Sequence, residues 1–373
     1  MTKSRRISLA LAVALALALI ASCFIPFIGD SALAAAATSR DGWVNTYDGD
    51  YYDNLNTDKV GLEFRAELAN LITETHTKLL TYADLKDVYK ITDVDPDNPN
   101  NVIWFYTGSS APYTGVMDGN DATTKDYPSN REHVWPKMGG RAFPEQTQAG
   151  SDAHHVRPLN SGLNNKRDNN HFGEVPQTVE NRVLQSGAYA QYGNDNDIDS
   201  WCYQATVNGT KLFYPAKGYR GATARILFYL QTRWGDVSEL SFTLGVDTTK
   251  VMSNVDILLK WHLEEPPTAE EIRRNEAVFG VQGNRNPFID HPEYVEMIYC
   301  HDGLGYNSRL VEVVDTYGSY IGGNVDDTTA APTNNPDVTT IVIVCVVVAV
   351  VVIVAVVVII VLVRKSKAKK ANS

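Results

Sequence analysis

The chain has 373 residues, 44% of them apolar and 10% aromatic, which supplies a real hydrophobic core and excludes a wholly disordered protein. It carries 33 basic and 44 acidic residues, a net charge of −11, which argues against a protein that holds nucleic acid by bulk positive charge. Three basic residues and one acid lie in 1–38 and five basic residues in 339–373; setting these aside leaves 25 basic against 43 acidic over 39–338, a net of −18.

In chain order, the first segment reads as a secretory signal over 1–34. Lys3, Arg5 and Arg6 precede an apolar run over 7–20, and Ala32-Leu33-Ala34 offers a small-x-small cleavage site. Lipidation at Cys23, a twin-arginine signal at Arg5-Arg6 and an uncleaved anchor are the competing readings. Residues 35–59 are an irregular polar lead-in. The apolar spacing of Leu62, Leu68, Leu71, Ile72, Leu79 and Leu80 predicts a helix over 60–80, with a second short one over 82–89. Residues 93–101 read as a turn-rich loop, 102–106 as a buried strand and 108–130 as loop. Helices are expected over 220–234 and 255–262. Another opens at the capping box Thr268-Ala269-Glu270-Glu271 and runs to about Phe279, and a short one starts near Pro292. Few strands and several helices predict an α+β domain over 60–317.

Residues 318–340 read as a solvated stalk. Residues 341–363 are 23 apolar residues without a charge, about 35 Å as a helix, and Arg364 with four lysines follows. The positive-inside rule then puts the 364–373 tail in the cytoplasm and the domain outside the cell, on a single-pass anchor. Cys23 and Cys345 fall in the terminal apolar segments. Cys202 and Cys300 belong to the domain, either as a disulfide or as two buried thiols.

The densest polar constellation lies in two segments. One is Asn130-Arg131-Glu132-His133-Val134-Trp135-Pro136. The other runs from Asp152-Ala153-His154-His155-Val156-Arg157-Pro158 through Asn164-Asn165-Lys166-Arg167-Asp168-Asn169 to Phe172-Gly173-Glu174-Val175. Four of the eight histidines fall between His133 and His171, a clustering that packing does not require. Phosphodiester hydrolysis needs a base to take a proton from water, and histidine suits that. It needs a cation at the phosphate and the leaving oxygen. Mg²⁺ prefers hard oxygen donors and keeps several waters, so one carboxylate and one amide oxygen are a sufficient protein share; Glu132 and an Asn of the second segment match. Arg141, Arg157 and Arg167 are the candidate phosphate-binding guanidiniums.

These segments resemble the bacterial endonuclease I family, secreted non-specific nucleases built on a His-Me finger, also called the ββα-metal site. The likeness continues in Arg220-Gly221-Ala222-Thr223-Ala224-Arg225, in Asn275-Glu276 and in Val281-Gln282-Gly283-Asn284-Arg285-Asn286-Pro287-Phe288. His76-Thr77-Lys78 and residues 93–106 are similar to Gram-positive members, and the whole resemblance spans roughly residues 60–305. It implies that His133 is the general base. Glu132 and Asn164 would hold one divalent cation, Mg²⁺ or else Ca²⁺ or Mn²⁺. Arg141, in the loop between the segments, would clamp phosphate. The implied enzyme is a monomer that cuts DNA and RNA and leaves 5′-phosphates.

Asp152, His154, Arg157, Arg167 and Asn169 are expected to support the site or touch substrate. Asp152 would orient a partner by a hydrogen bond, and Arg167 would make an internal ion pair rather than bind phosphate. His154 and His155 lack a third ligand at a zinc spacing, so one is read as support and the other as core. Asp93-x-Asp95-x-Asp97 resembles the start of a calcium loop without its distal Glu, and a tight turn is the better reading. Glu132 and His133 are adjacent, and neighbours on a regular strand face opposite sides. Two rival functions are a surface-binding protein on the same scaffold without catalysis and a zinc hydrolase using His154 and His155.

Overall fold

The computed structural model describes residues 47–118, 120–138, 142–238, 240–243, 251–301 and 307–321. The expected signal, the 341–363 span, the cytoplasmic tail and Arg141 lie outside the described residues. Among the described residues no helix is long and apolar enough to cross a membrane.

Helix α1 (Gly61–Glu74) buries Gly61, Phe64, Leu68 and Ile72 on one face, a spacing of three to four. It stops short of the expected residue 80. The Thr73 and Thr75 hydroxyls donate back to the Ala69 and Leu71 carbonyls at 2.6 and 2.7 Å. The chain then turns off and ties Lys78 N to the Gln282 carbonyl. Helix α2 (Leu85–Thr92) starts three residues later than expected. Asp84 accepts from both the backbone and the hydroxyl of Thr81 at 2.8 Å, closing a turn that leaves Tyr82 outside the helix.

The turn-rich 93–101 stretch is a hairpin. Strands β1 (Val94–Asp95) and β2 (Asn98–Trp104) pair antiparallel, and β3 (Ser109–Pro112) adds to the other edge. The buried strand therefore begins at Asn98 and ends before Tyr106, whose φ of 68° takes the backbone out of β geometry. Asp93 takes no part in a cation loop, because it accepts from Arg157 and Arg274. Asp95 accepts from Asp97 N and the Ser110 hydroxyl, as a tight turn requires.

Strands β4 (Ser129–His133) and β5 (Val156–Asn160) pair antiparallel, with Glu132 opposite Arg157 and His133 opposite Val156. Helix α3 (Ser161–Arg167) follows at once, capped by Asn160, whose side-chain oxygen accepts from Gly162 N and Leu163 N. The Phe105 amide donates to the Pro158 carbonyl and ties this ββα unit to the first sheet.

A third sheet runs β6 (His171–Phe172), β8 (Thr210–Tyr214), β7 (Tyr203–Val207), the last two joined through Asn208-Gly209, both at positive φ. Strands β9 (Ser241–Thr243) and β10 (Val251–Asn254) pair parallel. The remaining helices are α4 (Arg220–Ser238), α5 (Val255–Glu264), α6 (Ala269–Gln282), α7 (Pro287–Asp290), α8 (Glu293–Tyr299) and α9 (Asn307–Tyr317), and α4 packs against α5 and α1. Both halves of the expected capping box at Thr268 and Glu271 form. Glu271 also binds the buried Arg225 guanidinium through both oxygens at 2.7 and 2.8 Å, joining α6 to α4.

Mixed helix and sheet bears out the α+β expectation. Ser319 and Tyr320, placed in the stalk from sequence, are buried: both donate to the Glu296 carboxylate, so the domain continues to Ile321. Cys202 and Cys300 are free thiols, and Cys202 Sγ lies 3.5 Å from the Tyr106 carbonyl oxygen.

Candidate active site

Where β4 ends and α3 runs beneath it, a polar cleft of about 370 Å³ opens, lined among others by Tyr82, Glu132, His133, Lys137, Glu145 and Asn164. The ββα unit thus brings Glu132, His133 and Asn164 to one site. Adjacency of the first two is no obstacle, because His133 is the last residue of its strand.

His133 is 7% exposed. Its Nε2 lies 3.0 Å from the Gly150 carbonyl oxygen. A carbonyl only accepts, so Nε2 carries the proton and Nδ1 keeps its lone pair. The ring stacks on Tyr82 at 5.4 Å between centroids and 14° between planes, and it also meets Phe143 and His155. Burial pushes the imidazole down to about 3, helped by His155, Lys137 and Arg131 and opposed by the Gly150 carbonyl. The side chain is therefore neutral at pH 7.

Glu132 is 2% exposed. The Tyr106 hydroxyl donates to its Oε1 at 2.9 Å, and Arg167 Nε stands 3.1 Å from the same oxygen. Burial pushes the carboxyl up to about 7, with Arg167 and Tyr106 acting in the opposite direction. A buried carboxylate that is hard to ionise at the wall of a polar cleft is one that a cation would relieve. Asn164 donates its Nδ2 to the Arg131 carbonyl at 3.4 Å, which orients the amide and leaves Oδ1 to accept. One carboxylate and one amide oxygen fit a hard divalent ion that keeps most of its waters. Among the described residues no group of three or more His, Cys, Asp or Glu is placed to hold a metal, so any site here depends on the amide and on water.

The other expected residues are placed as follows. Asn169 lines the same cleft. Arg167 lies just behind it, fully buried, beside Glu132 and donating to the Val134 and Asp168 carbonyls, with its guanidinium 4.6 Å over the Phe172 ring. Arg157 does not reach the cleft. It is 4% exposed, bound to Asp93 at 3.1 Å beside Arg274, so its candidacy as a phosphate ligand fails. Asp152 is buried at the centre of an internal network, accepting from Tyr229 at 2.6 Å, Trp234 at 2.9 Å and Gln282 at 2.8 Å. Burial alone would raise its pKa, but His76, His154, Tyr229 and Gln282 hold the carboxyl below the usual range. His154 Nε2 donates to the Asn284 carbonyl. His155 uses both ring nitrogens, donating to the Ala149 carbonyl and accepting from Trp135 N. Three of the four ring nitrogens are thus used within the fold, and no third ligand joins the pair among the described residues, which counts against the zinc reading.

Tyr82, Tyr106, Gly150 and the Lys137–Glu145 pair were not visible as site residues from sequence. Tyr106 comes from a turn and Gly150 from a short 3-10 helix, both distant in the chain, and no local pattern marks them.

The sequence model of the endonuclease I family matches residues 60–293, which include the whole ββα unit and its cleft. The extracellular ribonuclease of Bacillus amyloliquefaciens is 35% identical over 251 residues, covering 65% of this chain and 75% of that protein. The extracellular ribonuclease of Bacillus subtilis strain 168 is 34% identical over 256 residues, 67% of this chain and 78% of that protein. Endonuclease-1 of Buchnera aphidicola subsp. Acyrthosiphon pisum is 24% identical over 163 residues, 43% of this chain and 54% of that protein. With the family pattern extending over most of the folded domain and the ββα cleft inside it, the chain belongs to the endonuclease I family, a family of nucleases.

Proposed function

We propose that the protein is a divalent-metal-dependent endonuclease that hydrolyses phosphodiester bonds of DNA and RNA without sequence preference and leaves 5′-phosphates. The observation that carries this reading is the meeting of Glu132, His133 and Asn164 on one polar cleft. His133 takes a proton from the attacking water at Nδ1, while the Gly150 carbonyl holds its tautomer and the Tyr82 ring its plane. Glu132 and Asn164 would hold the cation, Mg²⁺ in this reading. When bound, it neutralises charge on the phosphate and on the leaving 3′ oxygen. These residues engage the backbone rather than base edges, which favours action without sequence preference.

The terminal segments support an extracellular enzyme with a cytoplasmic tail, anchored through residues 341–363. The extracellular ribonucleases of Bacillus accord with that location and with RNA as a substrate. In this reading the enzyme is a monomer.

The test is incubation of the full-length chain with supercoiled plasmid and with RNA. Mg²⁺ should support cleavage, EDTA should stop it, and DNA ligase should seal the plasmid nicks without prior phosphorylation. No cleavage with Mg²⁺, or nicks that need a kinase before sealing, would overturn the corresponding part of the proposal.

A further inference from the structure

Two cations and three carboxylates line the cleft among the described residues: Arg131 and Lys137, against Glu132, Glu145 and Asp168. A polyanion entering this cleft needs a cation to meet it, and Arg131 is held against Tyr82. Its Nη1 donates to the Tyr82 carbonyl at 2.7 Å, and its guanidinium lies 3.7 Å over the Tyr82 ring. Lys137 is different. Its ammonium is bound to Glu145, and both side chains are about a third exposed, at 38% and 34%. An ammonium is a compact charge with rotatable donors, able to exchange one oxyanion for another.

The backbone of Glu145 is held in place. A side chain at Gly150 would collide with the carbonyl oxygens of Pro144 and Glu145, so this strand of loop lies directly on the residue that holds His133. Lys137 is fixed from the other side, its carbonyl accepting from Ala142 N at 3.2 Å. The pair therefore stands at a set position beside the base.

We propose that Lys137 binds a backbone phosphate of the nucleic acid next to the scissile bond, and that Glu145 occupies that place until the phosphate displaces it. The proposal rests on the nuclease reading for its substrate. It explains how an acidic domain keeps a cation ready at the cleft. The lysine is shielded in the free protein, and a phosphate gains it only by competing with the Glu145 carboxylate. Weak anions fail in that competition, while a polymer that also engages the rest of the cleft succeeds.

The experiment measures binding rather than turnover, so it reports independently of whether the chain cleaves. The full-length chain carrying His133→Ala is titrated with a short fluorescein-labelled oligothymidylate in Ca²⁺, by anisotropy, at several salt concentrations. Lys137→Met should weaken binding by about tenfold and lower the salt dependence by about 0.7 in the log–log slope, the share of one single-strand phosphate contact. Glu145→Gln should tighten binding several-fold. Asp168→Asn changes the cleft charge by the same amount without freeing Lys137, so it should tighten binding much less. If Glu145→Gln leaves binding unchanged, weakens it or matches Asp168→Asn, or if Lys137→Met has no effect, the proposal is wrong. Absence of binding by the parent also overturns it. Failure of the nuclease reading shows up separately, as no plasmid cleavage by the unsubstituted chain.

Discussion

The Nε2 atom of His133 stands 3.0 Å from the carbonyl oxygen of Gly150, a residue with no room for a side chain beneath Pro144 and Glu145. This contact sets which nitrogen of the imidazole carries the proton. It also makes the base depend on a backbone crossing 17 residues away in the chain. Gly150→Ala should push that crossing apart and move the carbonyl. Misplacing a catalytic group by an ångström costs up to about 10²-fold, so kcat should fall by about 10- to 100-fold while KM changes little. Steady-state kinetics on a variant shown folded by circular dichroism checks this. An unchanged kcat would mean the carbonyl does not position the base.

Tyr82 stacks on the same imidazole, and its hydroxyl makes no part of that contact. Tyr82→Phe should keep nearly full kcat, and Tyr82→Ala should lose about tenfold or less with the fold retained. Equal loss in both variants would assign the effect to the hydroxyl instead of the ring.

How much of this was legible beforehand varies by residue. His133, Glu132 and Asn164 lie in short segments whose residue types announce the chemistry, and the structure puts them on one cleft. Helix α6 was readable because its capping box is local. What escaped was set by distant partners. The end of α1 depends on back-bonding threonines and on Gln282. The 93–101 stretch shows turn residues, yet its pairing as a hairpin needs Val94 to meet Val102. Arg157 looks like a phosphate ligand beside the site, but its guanidinium is taken by Asp93, a partner 64 residues away that no local pattern announces.

Arg157 consequently belongs to stability. Asp93 sits between its guanidinium and that of Arg274, at 3.1 and 2.9 Å. Glu270 stands 3.7 Å from Arg157 as a second, partly exposed carboxylate. Removing Arg157 leaves Asp93 paired with Arg274, while removing Asp93 takes from both buried guanidiniums the carboxylate they share. Asp93→Asn should therefore destabilise by about 3–5 kcal/mol, the cost of breaking a buried ion pair, and Arg157→Met by less. Urea unfolding checks the order. Substrate KM for folded Arg157→Met should stay at the parent value, and a large rise would restore it as a phosphate ligand.

Glu296 gives a stability signature in pH. Burial pushes its carboxyl up to about 7, with the Ser319 hydroxyl and the Tyr320 amide opposing. A group whose pKa is raised on folding contributes stability that is full below the unfolded value, near 4.5, and lost as pH rises through about 7. Glu296→Gln has no such proton to lose. The variant should gain on the parent as pH rises from about 4.5 to 8, by an amount on the order of 1–3 kcal/mol. Melting temperatures of both proteins across that range test it, and a difference independent of pH would contradict the raised carboxyl.

The central claim is that His133 is the base of a cleft that also holds the cation through Glu132 and Asn164. The most direct measurement is the single-turnover rate of plasmid nicking at saturating Mg²⁺ by His133→Ala against the unsubstituted chain, with melting temperatures compared in parallel. Loss of a general base predicts a rate lower by about 10²–10⁴-fold with the fold retained. A His133→Ala protein that nicks at close to the parent rate would contradict the account.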